Sequence, residues 1–305
     1  MLKYRLTLGP TLLLALLGAL WLDGYLETLP SPPWLTQLNP ALGPTLPPCT
    51  VILVLGLLIV PLAARELGAI FKAGGVAASR RWMAIAAMAG LLVSAVVPSG
   101  ISPVHAVALV ATTGAALLVG ALLWHIRRRD LKGATAAAGA AMFAFVYLGL
   151  MFGFILALRR EHSEWVVLGV LIVTKSCDIG AFFTGKAIGR HKLIPWLSPG
   201  KTWEGLVGGM CLAAIVAVGG VRLARAYNAD AAVAGLASWQ GAALGALFAL
   251  VGQAGDLLAS VLKRDAGLKD SGRVLPGFGG ILDVLDSVLL VAPVAFWALT
   301  GHERP

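Results

Sequence analysis

WQGAALGALFALVGQAGDLLASVLKRDAGLKDSGRVLPGFGGILDVLDSVLLVAPVAFWALT, residues 239–300, decides the fold. Two apolar runs, 239–262 and 281–300, are each long enough to cross about 30 Å of hydrocarbon as a helix. Between them and just inside them lie Asp256, Lys263, Arg264, Asp265, Lys269, Asp270, Arg273, Asp283 and Asp286. These nine charges stand out in a chain that is 58% hydrophobic and only 13% charged. A cluster of both signs between two apolar runs is unfavourable unless it binds something charged or performs chemistry.

The same kind of run recurs upstream. Apolar stretches at roughly 6–22, 51–71, 82–98, 104–124, 134–157, 165–185 and 205–224 join the two above, giving about nine spans. Such stretches are helical in lipid, because a helix satisfies its own backbone hydrogen bonds. The expected fold is therefore all-α, a polytopic transmembrane helical bundle. Lys3 and Arg5 before the first run resemble the start of a secretory signal. Trp21, Leu22 and Asp23 follow where small residues would mark cleavage, so a retained first helix is the expectation.

The net charge of +9 does not point to nucleic acid, since the basic residues are spread over short loops. They fit the positive-inside rule instead. With a cytoplasmic N-terminus and alternating spans, 17 of the 24 Lys and Arg fall inside; Arg159, Arg160, Arg222, Arg225 and Arg304 fall outside, and Arg65 and Lys175 lie within spans. This orientation places the charged loops in the cytoplasm. Cys49, Cys177 and Cys211 are an odd set without paired spacing and imply neither a disulfide framework nor a zinc site.

Residues 1–160 read as N-terminal membrane helices rich in Ala, Gly and Leu; residues 161–305 carry the polar chemistry, within one continuous membrane domain. The Pro-rich segment 28–48 lacks Lys and Arg and reads as an external connection. Arg65 and Glu66 interrupt the second run, which either ends early or packs the two together. No internal repeat is evident, which argues against an inverted-repeat transporter.

Three polar blocks follow residue 170. In the first, Lys175 and Asp178 are three apart and share a helix face, and Gly180, Gly185 and Gly189 leave room for close backbone approach. The second runs from Lys192 to Gly205. Its Gly200-Lys201-Thr202 invites a P-loop reading, but Pro195 stands where the first glycine is needed and no strand is expected before it. What remains is Ser198, Lys201 and Thr202 ahead of a helix start, a combination suited to a phosphate. In the third block Asp256 lies inside a span, and Asp283 and Asp286 share a face at the start of the next. Carboxylates this close repel one another unless a cation sits between them, and hard oxygen ligands argue for Mg²⁺. Lys263, Arg264, Lys269 and Arg273 are placed to face phosphates. Pro276 to Gly280 allows a tight turn.

Residues 255–287 resemble the signature of the phosphatidate cytidylyltransferases (CDP-diacylglycerol synthases). The matching positions are Ser260, Lys263, Arg264, Lys269, Asp270, Gly272, Leu275, Pro276, Gly277, Gly279, Gly280, Leu282, Asp283 and Asp286. Asp178-x-Gly-Ala-Phe-Phe-x-Gly and Ser198-Pro-x-Lys-Thr-Trp-Glu-Gly are similar to that family too. The matched blocks, about 174–209 and 252–287, cover roughly a quarter of the chain. Two positions depart from the pattern: Phe278 replaces its His and Val284 its Arg.

The resemblance implies a nucleotidyltransferase of phospholipid biosynthesis: CTP plus phosphatidate gives CDP-diacylglycerol plus pyrophosphate. It implies Mg²⁺ on Asp256, Asp283 and Asp286, with a second cation such as K⁺. Lys263 and Ser260 complete the catalytic set. Asp178, Ser198, Lys201, Thr202, Arg264, Lys269, Asp270, Gly279 and Gly280 are expected to bind substrate. The expected partners are CTP, phosphatidate and membrane lipid, with no nucleic acid; homodimerisation is left open. The expected location is a bacterial cytoplasmic (inner) membrane, with the site facing the cytoplasm. Two alternatives stand beside this: a related CTP-dependent enzyme acting on another lipid phosphate or polyprenol, and an ion-coupled transporter.

Overall fold

The structure, a computed structural model, describes residues 8–300 and the backbone of 2–7, apart from 35–42, 97–101, 128–131, 273, 276 and 278. The described chain is helical throughout, with one short hairpin. The helices are α1 (Leu2–Glu27), α2 (Thr50–Ala73), α3 (Arg80–Val96), α4 (Pro103–Ile126), α5 (Ala134–Ala144) and α6 (Met151–Glu161). They continue as α7 (Glu164–Ile188), α8 (Trp203–Tyr227), the short α9 (Ala231–Gly235), α10 (Ser238–Asp265) and α11 (Ile281–Thr300). A π-helical turn, Phe145–Leu150, joins α5 to α6 so that Ala134–Glu161 forms one 28-residue stretch.

Among the described residues, eight helical stretches are long and apolar enough to cross a membrane, which makes this an all-α polytopic membrane protein. The run expected at 82–98 is helical as α3 over its described part, and residues 97 and 98 lie outside the described residues.

Two compact units make up the chain: residues 1–160 with 265–283, and residues 161–264 with 284–305. In the first unit, small residues bring backbones together, as helix packing in lipid requires. A Cβ on Gly90 would stand 2.6 Å from Phe145 O, and one on Gly149 would stand 2.5 Å from Ala87 O, so α3 meets the π turn with no room for a side chain. Leu67, Met83, Leu91, Leu148 and Leu156 are fully buried in this unit. Asp23, on α1, caps α2 from a distance. Its Oδ1 accepts from Val51 N (2.8 Å), and its Oδ2 accepts from Cys49 N (3.2 Å) and from Arg159 Nε (2.8 Å). Residues 29–31 and 44–46 pair across the Pro-rich segment, of which 35–42 lie outside the described residues.

The second unit holds α7 to α10 and most of α11. Its tightest contact is α7 on α8: a Cβ on Gly180 would be 2.9 Å from Gly208 O, and one on Gly209 would be 2.7 Å from Cys177 O. Between these helices the expectation of no strand fails. Lys192–Ile194 (β1) and Ser198–Thr202 (β2) form an antiparallel hairpin, with Lys192 paired to Thr202 and Ile194 to Ser198. Pro195 and Trp196 occupy its turn, and Trp196 is exposed. Pro195 and Pro199 exclude helix here, and a segment outside the apolar spans has water for its unpaired edges.

Candidate functional site

The polar residues of the second unit gather from four elements. Lys201, on β2, reaches Asp256, on α10, with Nζ 2.5 Å from Oδ2. Lys175 and Asp178 project from one face of α7, with Nζ 3.7 Å from Oδ2. The Lys175 ammonium also donates to Ser287 Oγ (3.0 Å), and that hydroxyl donates to Asp286 Oδ1 (2.9 Å). Asp256 lies in electrostatic range of both Asp178 and Asp286. Three carboxylates and two ammonium groups thus share one neighbourhood with a net negative charge.

Glycine sets this geometry. A Cβ on Gly255 would stand 2.5 Å from Asp286 O and 3.0 Å from Ser287 Cα, so α11 lies directly on α10 where Asp256 leaves the helix. A Cβ on Gly252 would meet Thr174 Cγ2 at 3.0 Å. The Asp178 and Asp256 side chains are only partly covered, at 48% and 34% exposure, whereas Asp286 is buried.

Of the other expected residues in this unit, Ser198 and Ser260 are half-buried, Lys263 is buried and Arg264 is exposed. Thr202 is buried and caps α8 by accepting from Gly205 N at 3.1 Å. Its hydroxyl oxygen serves the helix start and fits between Gly185 and Gly189.

Asp283, Lys269, Asp270, Gly279 and Gly280 belong to the first unit. Lys269 and Asp270 are exposed. Leu275 and Gly279 close the loop with two mutual backbone bonds of 2.9 and 3.0 Å, and Gly277 and Gly279 take positive φ values of 87° and 95° that favour glycine. Asp283 Oδ2 accepts from Ser271 N (3.0 Å), Ser271 Oγ (2.9 Å) and Gly280 N (2.9 Å). Arg273, Pro276 and Phe278 lie outside the described residues.

One residue of this loop's surroundings escaped the sequence reading. Glu66 does not pack with Arg65, which is exposed. Its Oε1 accepts from Ile281 N (3.0 Å) and its Oε2 from Leu282 N (2.9 Å) and Ser271 Oγ (3.1 Å). An acid interrupting an apolar run was the only signal, and its partners lie more than 200 residues away.

The donor set of the second unit suits a hard cation: carboxylate and hydroxyl oxygens, with neither imidazole nor thiolate among the groups named. Among the described residues no three His, Cys, Asp or Glu side chains already converge as a metal cage. A cation entering here competes with Lys201 for Asp256.

Residues 43–301 match the cytidylyltransferase family, and the chain belongs to it. It is 40% identical over 157 residues to a phosphatidate cytidylyltransferase of Staphylococcus aureus (strain COL), covering 52% of this chain and 57% of that one. It is 32% identical over 198 residues to a phosphatidate cytidylyltransferase of Mycobacterium bovis, covering 60% of this chain and 61% of the relative. An uncharacterized protein of Escherichia coli (strain K12) is 42% identical over 138 residues, 45% of this chain and 43% of that one. The chain thus spans little more than half the length of the named cytidylyltransferases it matches.

Proposed function

We propose that this protein is a phosphatidate cytidylyltransferase. A phosphate oxygen of phosphatidate attacks the α-phosphorus of CTP; the new P–O bond forms as the bond to the β-phosphate oxygen breaks, and pyrophosphate leaves with its electron pair. Transfers of this kind depend on positioning and charge neutralisation rather than on a covalent intermediate. The observation that carries the reading is the Lys201–Asp256 pair at 2.5 Å, with Asp178 and Asp286 beside it, in a chain whose sequence order matches the family.

Lys201, Lys263, Arg264 and Lys269 neutralise the triphosphate and lipid phosphate, and Ser198 and Ser260 donate hydrogen bonds. Asp256 and Asp283, with Asp286, would hold Mg²⁺, which would supply charge neutralisation at the phosphates. The protein sits in a bacterial cytoplasmic membrane with this site facing the cytoplasm. The positive-inside distribution of Lys and Arg supports that orientation.

Purified protein in lipid nanodiscs, given labelled CTP, phosphatidate and Mg²⁺, is expected to form CDP-diacylglycerol and pyrophosphate. Asp256→Asn is expected to lower turnover at least roughly 100-fold. No product from the wild type, or turnover by the variant within threefold of it, sinks the reading. Product formed only from a polyprenol or another lipid phosphate moves the protein to a different CTP-dependent reaction.

A further inference from the structure

Glu66 lies on α2, in a part of the chain with no motif residue, and is 7% exposed. A charge at that depth needs partners, and all of those observed belong to the motif loop and to the first turn of α11. Two are backbone amides, Ile281 N and Leu282 N, left unpaired by the start of a helix. The third is the Ser271 hydroxyl, 3.1 Å from Glu66 Oε2 and 2.9 Å from Asp283 Oδ2. A hydroxyl has one proton and serves one of these oxygens at a time. Four N–H groups compensate the two carboxylates: Ile281 and Leu282 on Glu66, Ser271 and Gly280 on Asp283.

The loop's glycines have the same explanation. A Cβ on Gly272 would stand 2.5 Å from Glu66 Oε1, and one on Gly280 would overlap Glu66 Oε2 and Ser271 Oγ. Both positions are open because the Glu66 carboxylate fills the space. Residue 271 and the first turn of α11 are therefore anchored to α2, and they are the groups that fix Asp283.

We infer that Glu66 is a positioning residue for the nucleotidyl transfer, orienting the Asp283 carboxylate through Ser271 and the N-terminus of α11. The inference rests on the cytidylyltransferase reading for its activity readout and for the Mg²⁺ role of Asp283. A purely structural cap predicts lost stability with unchanged chemistry, whereas orientation of a ligand predicts weaker cation use, because groups that orient metal ligands change affinity or activity roughly 10- to 100-fold.

The test compares wild type with Glu66→Gln, Ser271→Ala and Asp230→Asn in nanodiscs. Asp230 is a control cap in the second unit, accepting from Val233 N at 3.1 Å. Two quantities are read: the Mg²⁺ concentration that half-saturates a rise in Tm, which needs no turnover, and kcat and KM for phosphatidate. Glu66→Gln keeps the shape but turns an amide NH₂, itself a donor, toward one of the N–H donors. It is expected to raise the Mg²⁺ midpoint and lower kcat, each roughly 10-fold, with KM within twofold. Ser271→Ala moves both in the same direction, and Asp230→Asn lowers Tm without changing either. A Glu66→Gln protein with midpoint and kcat within twofold of wild type overturns the inference, as does a wild type whose Tm ignores Mg²⁺. If Glu66→Gln does not fold, Ser271→Ala decides by the same criteria. If the wild type makes no CDP-diacylglycerol, the functional reading falls and the Mg²⁺ titration still decides the role of Glu66.

Discussion

Gly255→Ala is the sharpest probe of how the second unit presents Asp256. The added methyl would meet Asp286 O at 2.5 Å, Ser287 Cα at 3.0 Å and Asp286 C at 3.2 Å. All three are backbone atoms, so no rotamer change relieves the contact. An ordinary contact begins near 3.4 Å, so α11 must withdraw by about 0.9 Å at this point. Overpacking of this kind costs about 1–3 kcal/mol, and replacing a helical glycine returns up to about 1 kcal/mol. Relative to a glycine-to-alanine change without the clash, the expected loss is about 1–3 kcal/mol, read as a Tm several degrees lower. Gly220→Ala, on α8, is the matched control, since a Cβ there meets nothing within 4 Å. It keeps the helix-propensity gain without the clash. Tryptophan fluorescence during thermal unfolding of both variants in one detergent gives the comparison. A Gly255→Ala protein as stable as Gly220→Ala would refute the backbone-contact argument. The displaced residues are Asp286 and Ser287, so the same variant is expected to lose turnover.

Two further substitutions test the ends of the helices. Asp23→Ala removes the buried partner of the Arg159 guanidinium, which keeps Glu27 Oε2 at 2.6 Å, and takes the acceptor from Val51 N and Cys49 N; losing a charged hydrogen-bond partner costs about 1.5–3 kcal/mol, and a Tm within about 2 °C of wild type would contradict this. Burial pushes the Asp230 carboxyl up, but hydrogen bonds from His162, Val233 N and Ser163 N outweigh it and hold it below the ordinary carboxylate range. A depressed carboxylate stabilises fully above its unfolded value of about 3.9 and loses that contribution as pH falls through the lower folded value. Asp230→Asn is therefore expected to flatten the acid limb of Tm against pH below about pH 4, and an unchanged limb refutes the assignment.

Much of the architecture was written in hydropathy alone. Runs such as 239–262 and 281–300 have no option in lipid but the helix, so their existence needed no tertiary information. Spacing put Lys175 with Asp178, and Asp283 with Asp286, on single helix faces, because 3.6 residues per turn fixes that locally. The β1–β2 hairpin was not legible, since its five-residue strand carries two prolines or glycines and no alternating apolar pattern. Thr202 reads as a phosphate donor, and the fold also uses it to cap α8; a hydroxyl that accepts from Gly205 N keeps its proton to donate.

Sequence by itself determined an all-α membrane chain, the order of its polar blocks and the family to which it belongs, because composition and local spacing carry those. Tertiary structure decided which of those charges meet: Lys201 with Asp256, Lys175 with Asp286 through Ser287, and Glu66 with the start of α11. No local period encodes contacts between residues tens to hundreds of positions apart. They exist because small residues at the helix crossings let backbones approach closely enough for short polar side chains to touch.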